Sequence, residues 1–491
     1  MGDQIFLIIP EIFILASIIG LFTIKLLYEN SRGVAKAAYI YYWSSLVVIT
    51  AGIFITFFMQ IGANQTVFNN IFLIDAFAAI NKILILFLSV TVLVYSREYL
   101  AERELMRIEY FLFLHAAIFG MMLMVSGHNM LVIYLGLEIC SMSVYSLVVY
   151  SREVQSSTGA GIKYYTVGIF STILILIGIY LIYSNTGSFD IDEMKRHLNV
   201  DGENIKFIAI GMILLAIGGA FKLGAVPFHV WVPDIYKGIS TAVTLFAGTV
   251  PKIAAFSVAI RLFTVTFSDI HAYLQSMLTI MALTAAIAGC FFSFFASNLK
   301  KLFGYATVNH VGFMILGFII GSGIEAGGEG YMSAMFYTVT YSIMIAGAYG
   351  IIIFLGKKGE ETGSLSDFSG LYKKNRWIAI IMLLVMLSMA GFPGTAGFYA
   401  KFMLIRSSFE SGMDNIAIAF IVIAVLSAYP YLKVIWLMLK GQPVGVLGAL
   451  STSELRILLG VNSLIVLGFG VYPEGLIAIC NEALQWTVYF K

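Results

Sequence analysis

Charged residues are scarce in this chain: they make up 11% of its 491 residues, whereas 60% of the residues are hydrophobic. Soluble globular domains carry about 25% charged residues, so the shortage excludes an ordinary soluble domain. The mean hydropathy of +0.93 indicates an integral membrane protein. The net charge is +2 and no basic cluster lies away from the loops near the membrane, so we expect no nucleic-acid partner.

Cysteines are equally few, and they are scattered singly, at Cys140, Cys290 and Cys480. Their spacing excludes a disulfide framework, a haem attachment motif and a cysteine metal site. The chain has neither a glycine-rich fingerprint after a strand nor a Walker loop, which excludes a recognisable nucleotide site. We therefore expect no cofactor, no metal and no iron–sulfur cluster in this chain.

Long apolar runs are what the sequence has in abundance. About 20 apolar residues cross a bilayer, and the first run lacks the basic segment of a cleavable signal, so we expect it to stay as a span. The runs predict an all-α integral membrane protein without a soluble domain. It has fourteen spans, at 4–27, 38–59, 71–95, 109–126, 129–150, 163–183, 207–229, 241–262, 274–297, 301–321, 332–355, 377–405, 415–437 and 457–476.

The 29 Lys and Arg residues are distributed unevenly between the two sides of these spans. Most of them fall in the loops after odd-numbered spans, and Lys300 is assigned to one of these loops. The few on the other side include Arg261. The positive-inside rule then places the odd-to-even loops in the cytoplasm and both termini outside.

Six lysines lie within the predicted spans: Lys25, Lys82, Lys222, Lys252, Lys401 and Lys433. Two of them, Lys25 and Lys433, are near cytoplasmic span ends, where a long side chain reaches the headgroups. A lysine near the bilayer centre costs about 2.5–3.5 kcal/mol and usually marks an ion or proton path. Lysine can release its proton and arginine cannot, so the use of lysine at the central positions favours proton handling.

One carboxylate, Glu138 in span 5, is available to pair with Lys222 or Lys252. The alternative interpretation is a static buried ion pair that fixes helix packing, although such pairs are weak evidence for stability. The central lysines outnumber the single glutamate, which favours groups that change their charge state.

Two spans carry both a lysine and a helix-breaking segment. Pro227 follows Lys222 in span 7, and the segment Gly391-Phe392-Pro393-Gly394 precedes Lys401 in span 12. Backbone groups freed by such breaks must be satisfied inside the protein or by water. Paired interruptions predict discontinuous helices 7 and 12 within inverted repeats.

Three further residues are secondary candidates: His310, His229 and Lys82. His310, in span 10, is compatible with proton relay or with simple packing. His229 follows Pro227, where a structural role at a helix end is favoured. Lys82 lies in span 3 after Asp75, and the sequence assigns it no partner.

Several stretches resemble one known family. They are GGAFKLGAVPFHVWVPDIYKG and TVPKIAAF around spans 7 and 8, LEICSMSVYSLVVY in span 5, NLKKLFGYATVNHVGF at span 10 and AGFPGTAGFYAKF in span 12. They resemble the antiporter-like, proton-pumping subunits of NADH-quinone oxidoreductase, respiratory complex I. The chain is most similar to the N type, because its last motif ends in Lys401 where M-type subunits usually have glutamate. L-type subunits are much longer.

The resemblance implies a fold of about 14 transmembrane helices with two inverted five-helix repeats, spans 4–8 and 9–13. The implied segments are a three-helix N-terminal part (1–108), a first repeat (109–265), a second repeat (266–440) and a C-terminal span with its tail (441–491). Animal mitochondrial versions lack the first three spans, so a prokaryotic plasma membrane is implied.

The resemblance also implies roles for the buried residues. Glu138 and Lys222 would form the charge pair, Lys252 would be the central relay, and Lys401 would lie near the outer exit. Pro251, directly before Lys252, departs from the family pattern, and we expect it to kink span 8.

Such a subunit is part of an enzyme but carries no redox centre itself. The implied partners are membrane-arm subunits of the M-, L-, K-, J-, A- and H-type. Other partners would hold FMN, iron–sulfur clusters and quinone, and would carry electrons from NADH or a similar donor to quinone. Two alternatives stay open: a subunit of a multi-subunit Na⁺/H⁺ antiporter, and a purely structural membrane anchor.

Overall fold

The computed structural model describes residues 2–29, 34–150, 155–198, 204–266, 271–321, 327–356, 363–442 and 453–488. Its helices are α1 (Gly2–Leu7), α2 (Ile9–Ile24), α3 (Val34–Gln60), α4 (Ala76–Glu102), α5 (Ile108–Ser126), α6 (Met130–Val149), α7 (Gln155–Thr186), α8 (Ile191–Leu198), α9 (Asn204–Leu223), α10 (Trp231–Gly238), α11 (Thr241–Arg261), α12 (His271–Ser293), α13 (Leu299–Gly321), α14 (Gly327–Phe354), α15 (Leu371–Lys374), α16 (Arg376–Ala390), α17 (Ala396–Glu410), α18 (Asp414–Lys440), α19 (Ser453–Val471) and α20 (Glu474–Val488).

The all-α membrane fold is confirmed. Within the described residues, 13 helices are long and apolar enough to cross a bilayer, and they match thirteen of the predicted spans. The remaining one, predicted at 377–405, is present as α16 and α17 with an interruption between them. Several predicted boundaries were wrong by a few residues. For example, α19 ends at Val471 because Pro473 cannot continue the helix.

A short β-hairpin connects α3 to α4 and was missed by the sequence analysis. Strands β1 (Gln65–Val67) and β2 (Phe72–Ile74) pair antiparallel, with Thr66 opposite Leu73. Span 3 was predicted to start at residue 71, but the helix starts only at Ala76. Asp75 caps it: its carboxylate accepts a hydrogen bond from the Ala78 N–H at 2.8 Å, which satisfies one of the free amides of the first turn.

The chain forms two compact units. Unit 1 comprises Met1–Gly219, Val250–Asp269 and Glu482–Lys491, and unit 2 comprises Ala220–Thr249 and Ile270–Asn481. In unit 1, α5 and α6 approach closely at two glycines: a Cβ on Gly120 would lie 2.6 Å from the Gly136 carbonyl oxygen. Small residues commonly permit such close packing between membrane helices.

The core of unit 2 lies around α13 and α14, which are almost completely buried. Helix α12 packs closely on α13, and a Cβ on Gly312 would lie 2.6 Å from the Ala286 amide nitrogen. This packing fixes the position of α13, the helix that carries His310.

Two basic residues that the sequence analysis counted at the two sides of the membrane are buried instead. Arg261 is 1% exposed and Lys300 is 2% exposed. The Lys300 ammonium donates to the carbonyl oxygen of Ile239 at 2.7 Å and to Thr241 Oγ1 at 3.3 Å. Counting them at the membrane surface was wrong, because both residues belong to helices and have polar partners in distant parts of the chain.

Candidate functional site

The predicted interruption of span 7 is present. Helix α9 ends at Leu223, and Gly224 follows with a left-handed backbone, at φ +81°. The Gly224 N–H donates to the carbonyl of Phe221 at 2.9 Å, and the Ala225 N–H donates to that of Ala220 at 2.8 Å. These two bonds form a Schellman cap, which satisfies the last carbonyls of the helix.

Lys222 lies in the last turn of α9, next to this cap. Its side chain is half-buried, and the ammonium lies 5.5 Å from the centroid of the Phe221 ring. A cation is favoured both at the negative end of a helix and over an aromatic face. The end of the broken helix therefore stabilises a positive charge at this position.

The interruption of span 12 has the same cap. Helix α16 ends at Ala390, and Gly391 has a φ of +86°. The Gly391 N–H donates to the carbonyl of Ser388 at 3.0 Å, and the Phe392 N–H donates to that of Leu387 at 2.9 Å. The helices before the breaks in spans 7 and 12 therefore end in the same type of cap.

Lys401 joins the two halves of span 12. It lies on α17, yet its ammonium donates to the carbonyls of Met389 at 3.2 Å and Ala390 at 3.3 Å, the last two residues of α16. The side chain is 5% exposed, and the ammonium lies 5.6 Å from the centroid of the Phe313 ring. A buried titratable amine therefore sits at the negative end of the first half-helix.

Gly391 offers a test of this arrangement. A Cβ at Gly391 would lie 3.2 Å from Lys401 Cδ and 3.4 Å from its Nζ. We expect Gly391→Ala to displace the ammonium and to lower proton translocation in the assembled complex, measured with proteoliposomes. The matched control is Gly394→Ala. Gly394 has nearly the same φ, +85°, but no atom lies within 4 Å of its Cβ position.

A left-handed alanine costs about 1–2 kcal/mol at either position, so backbone strain affects both variants alike. The difference between them reports the position of Lys401. Equal proton translocation in the two variants would contradict the proposed role of the Lys401 contact.

Lys252 lies on α11 within unit 1 and is 3% exposed. The proline before it, Pro251, lies inside a helix that continues to Arg261. Pro251 does not interrupt α11, although it has no N–H to donate to the carbonyl one turn earlier. A buried lysine thus lies beside a weakened turn of the backbone.

Glu138 lies half-buried on α6. Its Oε1 accepts a hydrogen bond from the Thr172 hydroxyl of α7 at 2.7 Å. The sequence analysis did not foresee this contact, because it considered only charged partners. The pairing of Glu138 with Lys222 or Lys252 stays a prediction.

His310 is 1% exposed and hydrogen-bonded at both ring nitrogens. Its Nδ1 lies 2.7 Å from the Tyr337 hydroxyl, and its Nε2 lies 3.4 Å from the Tyr431 hydroxyl. One turn earlier on α13, Thr307 shares a hydrogen bond of 2.6 Å with the Tyr341 hydroxyl. Hydroxyls and imidazole both donate and accept protons, so this network has the chemistry of a relay.

His229 lies in the turn between α9 and α10. Its carbonyl accepts a hydrogen bond from the Val232 N–H at 3.0 Å, at the start of α10. This contact fits the helix-end role favoured by the sequence.

Lys82 has a partner that the sequence did not reveal. Its ammonium forms a buried ion pair with Glu11 of α2 and donates to the Gln60 amide oxygen at 2.8 Å. The sequence analysis missed both Glu11 and Gln60. The available signal was the single carboxylate of Glu11 within the apolar run IIPEIFIL.

The comparisons with known proteins identify the family of the chain. A family model described as NADH:quinone oxidoreductase/Mrp antiporter, TM matches residues 127–427. The NADH-quinone oxidoreductase subunit N of Ruthia magnifica is 36% identical over 476 residues, covering 96% of this chain and 96% of that protein.

Two solved structures share the fold. A chain of respiratory complex I from Thermus thermophilus with bound aureothin matches with a TM-score of 0.81 and 21% identity, covering 96% of this chain and 99% of that one. A chain of the Mrp complex from Dietzia sp. matches with a TM-score of 0.81 and 17% identity, covering 99% and 98%. At these identities the structures establish the fold alone. With the family model and a full-length relative at 36% identity, the chain belongs to the subunit N family of NADH-quinone oxidoreductases.

Proposed function

We propose that this chain translocates protons in the membrane arm of a redox-driven complex, through Glu138, Lys222, Lys252 and Lys401. The observation that carries the proposal is the geometry of Lys401: a buried amine held by the terminal carbonyls of a broken helix. A positive charge on a buried amine within a membrane is costly unless polar or oppositely charged groups compensate it. The amine can release a proton when the local field changes, which an arginine could not do.

Lys222 supports the same role, because it lies at the end of the other broken helix beside an identical type of cap. Discontinuous helices near the membrane midplane are the usual place for ion-coupled sites in transporters. We assign Glu138 and Lys222 to one charge pair, Lys252 to a central relay and Lys401 to the outer exit.

His310 extends the path on the Lys401 side. It lies one turn before Phe313, whose ring faces the Lys401 ammonium. Tyr337 and Tyr431 hold the imidazole from two sides. We assign the three side chains to a proton relay that serves Lys401.

Membership of the family supports a proposal for the location and the partners of the chain. We propose that the chain is a multi-pass subunit of a prokaryotic plasma membrane, with both termini on the outer side. It assembles with membrane-arm subunits of the M-, L-, K-, J-, A- and H-type. Subunits with FMN, iron–sulfur clusters and a quinone site transfer the electrons, since this chain has no recognisable motif for a redox centre.

The composition of the purified complex tests this function against the antiporter alternative. We expect subunits with iron–sulfur clusters to copurify with the chain from gently solubilised membranes, and quinone reduction to drive proton translocation in proteoliposomes. A complex without any redox subunit, which exchanges Na⁺ for H⁺ down an imposed gradient, would contradict the proposal.

A further inference from the structure

A buried polar cluster in unit 1 lies outside the path proposed above. It consists of Glu11, Gln60, Lys82, Asp75 and Arg261, and each of these residues is no more than 4% exposed. They come from α2, α3, α4, the N-cap of α4 and α11. We call them the N-terminal polar cluster, because most of them precede the first of the predicted repeats.

The first part of the cluster is a closed hydrogen-bond triangle. Lys82 is ion-paired with Glu11 and donates to Gln60 Oε1 at 2.8 Å, while Gln60 Nε2 donates to Glu11 Oε2 at 3.2 Å. The Ser126 hydroxyl adds a contact of 3.4 Å to Glu11 Oε1. Removal of two charges from water is costly. The ionised form of the Lys82–Glu11 pair and its neutral form are therefore closer in energy in this buried position than they would be in water.

The second part of the cluster is an ion pair in which the cation is an arginine instead of a lysine. Arg261 Nη2 donates to Asp75 Oδ1 at 2.9 Å, and the guanidinium lies 5.4 Å from the centroid of the Phe77 ring. Asp75 and Arg261, together with Glu11, lie close enough to act on the charge of Lys82. Arginine keeps its proton, so Lys82 and the carboxylates are the groups of the cluster that can change protonation.

Three polar atoms of the Asp75–Arg261 pair indicate a place for bound water. Asp75 Oδ2, Arg261 Nε and Arg261 Nη1 are buried and make no hydrogen bond to any described residue. Buried polar groups in native proteins are nearly always satisfied, and water fills that role where protein does not. Water at these atoms would extend the cluster along α11, the helix that carries Lys252.

The positions along the chain place the cluster at one end of the helices. Glu11 is near the start of α2, Gln60 ends α3, Asp75 precedes α4, Ser126 ends α5 and Arg261 ends α11. By the distribution of Lys and Arg in the sequence, these ends face the outer side. Arg261 follows Lys252 by about two and a half turns of the same helix, in the outward direction.

We propose that the N-terminal polar cluster is a proton-exchange site that connects Lys252 with the outer side of the membrane. In this step the Lys82 ammonium transfers one proton to the Glu11 carboxylate, which leaves a neutral amine and a neutral acid. Release of the proton from Glu11 to outer water, and uptake of another by Lys82 from the Lys252 side, restore the ion pair. This inference rests on the proton-translocating function proposed above.

The competing explanation is a static clamp that holds α2, α3 and α4 together. The Lys82→Arg variant distinguishes proton exchange from a static clamp, because arginine keeps the charge and the hydrogen-bond donors but cannot release its proton. Glu11→Gln is the second variant, since glutamine keeps a hydrogen-bonding side chain without the titratable acid. Lys25→Arg is the matched control: Lys25 lies 3.6 Å from Glu109 in a pair whose side chains are 39% and 47% exposed.

The readout is the number of protons translocated per electron pair by the intact complex, with Lys401→Met measured in the same assay. We expect Lys82→Arg and Glu11→Gln to assemble and to lose part of the proton yield, while Lys25→Arg keeps the normal yield. A normal yield in both cluster variants, beside a lost yield in Lys401→Met, would overturn this inference and leave the proposed function intact. A normal yield in Lys401→Met as well would overturn both.

If Lys82→Arg does not assemble, the double variant Glu11→Gln/Lys82→Met takes its place, because it leaves no unpaired charge in the triangle. A reduced proton yield in the assembled double variant supports proton exchange. A normal yield identifies the cluster as a static clamp.

Discussion

Replacing Asp75 by asparagine should strongly reduce the amount of folded subunit in the membrane. Asparagine retains the N-cap of α4 but removes the charge opposite Arg261, which is 1% exposed. Breaking a buried ion pair by removal of one partner costs about 3–5 kcal/mol. The loss is measurable as a lower melting temperature of the purified complex and as a lower content of this subunit.

Two further variants control for this effect. Asp75→Asn combined with Arg261→Met removes both charges, and we expect it to recover much of the lost stability. Arg406→Met breaks a pair with Glu410 whose side chains are 63% and 40% exposed, and exposed pairs contribute little to stability. If Asp75→Asn were as mild as Arg406→Met, the Asp75–Arg261 pair would not hold unit 1 together.

The sequence predicted the spans well because the signal for a span is local. An apolar run of sufficient length must be helical in a bilayer, since the backbone has no other hydrogen-bond partners there. The two breaks were equally local: Gly224 and Gly391 adopt the left-handed backbone that glycine favours. In span 7, however, the helix already ends before Gly224, and not at Pro227, which the sequence analysis singled out.

The polar cluster could not be predicted in the same way. Glu11 and Lys82 are far apart in the sequence, as are Asp75 and Arg261, and only tertiary packing brings them together. A single carboxylate in an apolar run predicts that a partner exists, but it does not identify that partner. The same reason explains why Arg261 and Lys300 were counted at the membrane surface.

Glu138 shows a second limit of what the sequence could predict. The sequence analysis considered only a lysine as partner, and that pairing stays a prediction; the structure adds a hydroxyl donor, Thr172, to the carboxylate. Neutral hydrogen-bond donors are common on membrane helices, so their presence in a sequence does not single one out. The four central residues, in contrast, were singled out from their depth and charge alone, and their role in proton translocation stays a prediction.

Replacing Lys401 by methionine should have the largest effect on function. Methionine has a similar length and fills the same space, but it leaves the terminal carbonyls of α16 without their ammonium donor. General acid–base groups commonly contribute about 100-fold to a proton-transfer rate, so we expect proton translocation through this subunit to fall to background. Lys433→Met, near the C-terminal end of α18, is the matched control.

The most direct test of the account is a simultaneous recording of electron transfer and proton translocation by the Lys401→Met complex in proteoliposomes. The account predicts that the complex remains assembled and that fewer protons cross the membrane per electron pair than in the unchanged complex or in Lys433→Met. An unchanged number of protons per electron pair in the assembled Lys401→Met complex would contradict the claim that this buried lysine carries protons.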